Sequence, residues 1–286
     1  MDILHVRSRM PAWVAYLAWR GMDPATRPRL VTTVHGLYSV NRYSQVMLQG
    51  ERIIAVSNTI RDYILRNYPD IDPSRIEVIY RGVDAAEFPY GYQPATDWLA
   101  AWRAQYPQFI GKRILTLPGR LTRLKGHEAF IELIGRLKQR GLPVHGLIVG
   151  GEDPKRLAYA RELHQAMAAR RLAGDITFTG HRSDMREVFA VSDMVLSLSS
   201  KAESFGRTVL EALRLGTPVV GYNHGGVGEI LATAYPAGLV ELGNMDALIE
   251  RITGLLEQPI VVADRGTYPL TAMLEKTMAL YLDLAK

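Results

Sequence analysis

Apolar positions along the chain fall in short runs separated by amphipathic stretches, the signature of buried strands alternating with surface helices. In the first part, strands are predicted over residues 2–6, 29–36, 51–57 and 76–80, with helices over 10–22 and 58–68, the second capped by Ser57 or Asn58. Residues 85–110 lose the pattern, and Pro89, Gly91, Pro94 and Pro107 mark them as a linker. The second part is more regular. Strands are predicted over 112–117, 144–149, 175–179, 194–198 and 218–222, and helices over 127–140, 153–172, 184–191, 207–215, 246–257 and 270–284. Gly225, Gly226 and Gly228 are expected to form a glycine-rich turn after the last of those strands. Such alternation predicts an α/β protein with two Rossmann-like, doubly wound parallel-sheet domains. One covers residues 1–90, with the helix over 270–286 packing back on it, and the other residues 91–269. The first has four strand candidates where a complete nucleotide-type sheet has about six, so it is expected to be incomplete.

The stretch over 193–229 holds the densest candidate chemistry: strand, loop, helix, strand, loop, with both loops at the carboxyl ends of their strands. In an open parallel sheet that edge is where ligands bind. Glu203 lies in the first loop and Glu211 in the helix, about 12 Å apart at helical rise. Between them the first helical turn, Gly206 to Val209, presents unpaired amides to an anion. A diphosphate with sugars at both ends matches that arrangement, although a Glu on a helix is by itself ordinary. A second loop, Gly119 to Gly126, follows a strand and precedes a helix with Arg120 and Lys125 five apart, a fork and a point charge suited to a diphosphate. Its order is not that of a Walker loop. His35 ends a strand beside Gly36, at the edge facing a presumed cleft; His5 and His224 are weaker candidates. No set of residues has the spacing of a metal site.

Composition narrows the field. The 286 residues carry a net charge of +5, with no cysteine. That excess favours anionic partners, but the basic residues are scattered and no nucleic-acid module is present, so nucleic acid is not expected as a partner. No apolar run reaches the ~18–20 residues that cross a bilayer, and no secretory signal opens the chain. Absence of cysteine fits a cytoplasmic address. The Trp- and Met-rich helix over 10–22, with Arg7, Arg9 and Arg20, is read as core or as a surface for lipid.

The motif order H-G, V-S-N, R-G-V-D, G-R-L-x-x-x-K-G, G-H-R-x-D, E-S-F-G-x-x-x-x-E-A, G-T-P-V-V and G-G-V-x-E closely resembles the retaining glycosyltransferases of family 4. The resemblance covers nearly all of residues 2–257 and implies the glycosyltransferase-B fold. It implies transfer of a hexose from a nucleotide-diphosphate sugar to a glycan or glycolipid, with retention and without a bound metal or other cofactor. It further implies contact with an anionic membrane at its inner face. Carried over by position, Arg120 and Lys125 clamp the pyrophosphate, Glu203 binds donor-sugar hydroxyls and Glu211 holds the ribose. Gly206, Arg207, Thr208 and Val209 seat phosphate, His181 and Arg182 line the nucleobase pocket, and His35 leans toward the transferred sugar. The family's glycine-rich loop and first strands, expected before Asp2, have no counterpart, and Arg207 stands where an aliphatic residue is usual. Those departures keep a second reading open, a nucleotide-sugar-binding remnant with weak or no turnover. A nicotinamide-dependent oxidoreductase ranks last, because no G-x-G-x-x-G follows an early strand.

Overall fold

The structure, a computed structural model, describes residues 2–151 and 157–286. The chain forms two compact units: residues up to Asp84 with Glu203–Phe205 and Tyr268–Lys286, and Ala85–Ala202 with Gly206–Thr267.

The first unit contains β1 (Ile3–Val6), α1 (Arg9–Arg20), β2 (Arg29–Val34), α2 (Arg42–Gln45), β3 (Arg52–Ala55), α3 (Asn58–Asn67) and β4 (Ile76–Val78). Its strands pair in parallel in the order β1-β2-β3-β4. The pleat sends alternate residues to opposite faces. Leu30, Val34, Ile53 and Ala55 bury against Ala12 and Trp19 of α1 and Ile60 and Ile64 of α3. Val31 and Ile54 face the other way, toward the carboxy-terminal helix described below. Ser57 is the cap of α3, its hydroxyl accepting the Ile60 amide at 3.2 Å.

The second unit opens with α4 (Thr96–Gln105), inside the stretch expected to be a linker. Pro94 and Pro107 bracket this helix instead of interrupting it. Trp98, Trp102 and Tyr106, four apart, stack along one face, with Trp98 to Trp102 at 5.0 Å and Trp102 to Tyr106 at 4.5 Å. Trp102 and Tyr106 join Phe109, Ile114, Leu147 and Val188 in a buried cluster. Then follow β5 (Arg113–Pro118), α5 (His127–Gln139), β6 (Val144–Val149), α6 (Leu157–Ala169), β7 (Ile176–Gly180), α7 (Met185–Ala190) and β8 (Met194–Ser197). The start expected for α6, at residue 153, lies outside the described residues. The unit continues with α8 (Arg207–Leu215), β9 (Val219–Tyr222), α9 (Gly225–Ala234), β10 (Leu239–Val240) and α10 (Met245–Glu257). The expected glycine-rich turn is therefore the first turn of a helix. Val227, Ile230, Leu231 and Ala234 are buried at helical spacing, and that burial outweighs the poor propensity of three glycines. The chain ends in α11 (Leu270–Leu284), which belongs to the first unit: Leu280 is buried with Val31, Ile54 and Ile79.

All six strands of the second unit are parallel, in the order β7-β6-β5-β8-β9-β10. This is the 3-2-1-4-5-6 order of a dinucleotide-type sheet, and it reverses between β5 and β8. In an open sheet of this order the ligand crevice lies outside the carboxyl ends of the strands at that reversal. Both candidate phosphate-binding segments leave from these two strands.

Candidate functional site

The loop after β5 is shaped by glycines. Gly119 has φ +144°, and a Cβ there would meet Lys125 Cδ at 3.2 Å, so the lysine stem lies across the glycine. Gly126 has φ +78°, and a Cβ there would fall 2.0 Å from the Leu198 carbonyl oxygen. That close approach lets the loop after β5 dock on the loop after β8, where the Ser200 amide donates to the Leu124 carbonyl at 2.9 Å. The basic residues of the loop then separate in role. Arg123 turns outward to Glu162 at 2.5 Å and lies over the Tyr159 ring at 4.9 Å. Arg120 is exposed and has no ion-pair partner among the described residues. Lys125 is half-buried at the turn into α5.

Helix α8 starts at the crevice from Gly206, whose φ of +103° only glycine adopts readily. A Cβ at Gly206 would sit 2.8 Å from Val227 Cγ2, so the start of α8 packs on the start of α9. Among the described residues no side chain caps α5, α8 or α9, and all three begin at the carboxyl ends of strands β5, β8 and β9. Their first-turn amides and dipoles make this edge electropositive. The Val209 and Leu210 amides already fold back to the Gly206 carbonyl. Arg207 and Thr208 therefore supply the outermost amides.

Glu211 is buried, and its carboxylate accepts from Arg207 Nε at 2.6 Å, one turn earlier. A buried carboxylate is costly unless paired. The Arg207 guanidinium thus goes to Glu211 and holds that acid in a fixed place beside the helix start. His224 Nε2 donates to the Ser199 carbonyl at 2.8 Å. His127, the first residue of α5, is fully buried, and burial pushes its imidazole down to about 4, so it is neutral at pH 7.

The remaining expected site residues belong to other elements. Arg182 follows β7, two strands from the switch point, and is bound through Nε to Asp184 Oδ1 at 2.8 Å. It also lies over the Trp102 ring at 5.1 Å, and Trp98 Nε1 donates to the same Asp184 at 2.8 Å. Arg182 thereby clips α4 to the sheet edge, while its neighbour His181 is exposed. Glu203 belongs with the first unit, where Ser57 Oγ donates to the Ser204 carbonyl at 2.6 Å and Phe205 contacts the Tyr80 and Tyr268 rings. His35 is also in the first unit, one residue past β2. Burial, then Arg81, Arg7 and His5, push its imidazole down to about 4.

The chain matches the glycosyl transferases group 1 profile over residues 100–268, and the glycosyltransferase family 4 profile over residues 1–87. It belongs to the glycosyl transferases group 1 family. Among curated relatives of this chain is the D-inositol 3-phosphate glycosyltransferase of Rhodococcus jostii, 29% identical over 75% of this chain and 47% of that protein. The chain thus spans about half the length of that relative. A crystal structure of a glycosyltransferase from Rickettsia africae superposes with TM-score 0.86 at 29% identity, covering 100% of this chain and 77% of that one. Anabaena HepE, solved with UDP and glucose, shares the fold at TM-score 0.84 and 21% identity, over 99% of this chain and 78% of that one. These neighbours have the glycosyltransferase-B architecture expected from the motifs.

Proposed function

We propose that this chain binds a nucleoside-diphosphate sugar at the β5/β8 crevice and acts as a retaining hexosyltransferase without a metal or organic cofactor. The observation that carries the reading is the meeting of the Arg120–Lys125 loop with the uncapped start of α8 and the anchored Glu211 at one topological switch point. Arg120, Lys125 and the amides at Arg207 and Thr208 hold the diphosphate, and Glu211 accepts ribose hydroxyls. Arg207 acts through Glu211 as a positioning residue. Fixed cations and amides stabilise the charge that grows on the leaving diphosphate. In the transfer the bond from the anomeric carbon to the phosphate oxygen breaks. The acceptor oxygen bonds to that carbon on the same face, and its proton passes to the departing phosphate. The family resemblance assigns hydroxyl-binding roles to Glu203 and His35, both of the first unit. A neutral His35 does this as a hydrogen-bonding group without charge. The nucleobase role of His181 and Arg182 is the least supported part, because Arg182 already serves Asp184 and Trp102.

The donor is read as a UDP-sugar from the ligand named for the Anabaena neighbour, and the acceptor as a glycan or glycolipid at a membrane face. Among the described residues no helix is long and apolar enough to cross a membrane. Calorimetric titration with UDP and GDP, beside a transfer and donor-hydrolysis assay, tests the proposal. Failure of every nucleoside diphosphate to bind removes it. Binding without turnover supports the second reading, a nucleotide-sugar-binding chain with weak or no turnover.

A further inference from the structure

The first unit encloses a cavity of about 220 Å³ between its sheet and α11. Sheet residues reach it from one face only, because the pleat sends His5, Thr33, His35, Ile54 and Ile79 the same way. Its two sides differ in chemistry. Met273, Leu274 and Met278 of α11 form an apolar wall, and the strand ends supply Arg7, Arg81, His5 and His35. Among the described residues no carboxylate lines it. His5 is fixed, with Nε2 bonded to Thr33 Oγ1 at 2.6 Å and Nδ1 to the Tyr281 hydroxyl. His35 Nδ1 is buried and has no hydrogen-bond partner among the described residues. Burial, then Arg81 and Arg7, push the His35 imidazole down, and burial with Arg7 likewise holds His5 down to about 4.

The Arg7 and Arg81 guanidinium groups line this partly apolar cavity, and arginine forks match the geometry of phosphate and carboxylate. We propose that this cavity is an anion subsite that takes a phosphate or carboxylate group of the acceptor. The subsite stands on the cavity itself, while its assignment to the acceptor rests on the transferase reading above. Pockets for drug-sized ligands measure about 300–1,000 Å³. The smaller volume here suits a charged head group with a few adjoining carbons, the latter against Met273 and Met278. The sugar-accepting hydroxyl then lies outside the cavity.

Ring carbon–proton NMR signals of His5 and His35, titrated separately with inorganic phosphate and malonate, read occupancy, and UDP calorimetry runs in parallel. Saturable shifts of His35 are expected, weakened about tenfold or more in Arg7→Gln and Arg81→Gln, with UDP affinity unchanged. The stronger of the two anions identifies the group. Arg7 is exposed, so Arg7→Gln leaves the fold intact. Thr277→Trp, which fills the cavity from α11, should abolish the shifts. No saturable shift with either anion up to about 50 mM, or equal shifts in wild type and Arg7→Gln, overturns the subsite. Loss of UDP binding in the wild type instead removes the donor reading and leaves the subsite intact.

Discussion

Lys125 and Glu203 separate binding from transfer at the level of single side chains. A charge-assisted hydrogen bond contributes about 1.5–3 kcal/mol, so Lys125→Ala should weaken UDP binding roughly 10- to 100-fold by calorimetry. Equal affinity in the variant and the wild type removes Lys125 from the clamp. Glu203→Ala should depress transfer while leaving UDP affinity within about threefold, because a hydroxyl-binding acid touches the sugar and not the diphosphate. Arg207 illustrates what a sequence does not convey. Beside a phosphate-binding helix start it reads as another cation for the ligand, yet the four-residue spacing to Glu211 gives it a closer partner inside the protein. Arg182 is the same case with Asp184 two residues on. In both, a short local ion pair competes with the ligand, and motif position alone does not reveal which partner wins.

Elements were legible where hydrophobic period and punctuation agreed. The helix over 207–215, bounded by Gly206 and Gly216, and the strand over 144–149 appear with the expected limits. Helix α4 was hidden because its buried face is aromatic and its flanking prolines resemble linker chemistry. Helix α9 was hidden because glycines crowd its first turn, where Gly225 has φ +61° and a Cβ at Gly228 would meet Asn223 Oδ1 at 2.9 Å. Trp102→Ala should cost about 3–5 kcal/mol in the second unit, measured by urea unfolding. A cost below about 1 kcal/mol would show that α4 adds little to that core. Gly126 and Gly141 give a matched pair, with φ of +78° and +79°. A Cβ at Gly141 meets nothing within 4 Å, so Gly141→Ala should cost only the left-handed backbone penalty, about 1–2 kcal/mol. Gly126→Ala adds a collision with the Leu198 carbonyl, so it should cost clearly more and also reduce UDP affinity. Equal destabilisation of the two variants would mean that the contact between the loops after β5 and β8 is not tight.

At the scale of the whole chain, buried and half-buried histidines set the response to acid. His5 and His35 in the first unit, and His127 and His145 in the second, are each pushed from 6.5 down to about 4, mainly by burial. Between those values the unfolded chain binds protons that the folded chain refuses, so stability rises with pH through this window. The contribution is complete above about pH 6.5, declines as pH falls toward 4, and is absent below it. For the fully buried His127 the shift corresponds to roughly 3 kcal/mol at 1.36 kcal/mol per unit. Native-state hydrogen exchange on the amides of α5, followed from about pH 7 to about pH 4, reads the second unit by itself. Wild type should lose protection steadily, and His127→Leu should lose it with a slope shallower by about one proton. A wild-type slope that stays flat down to pH 4 would mean that His127 is protonated within the fold. In that case it would need an acceptor at the turn from Lys125 into α5, and the neutral imidazole assigned beside the diphosphate clamp would be wrong.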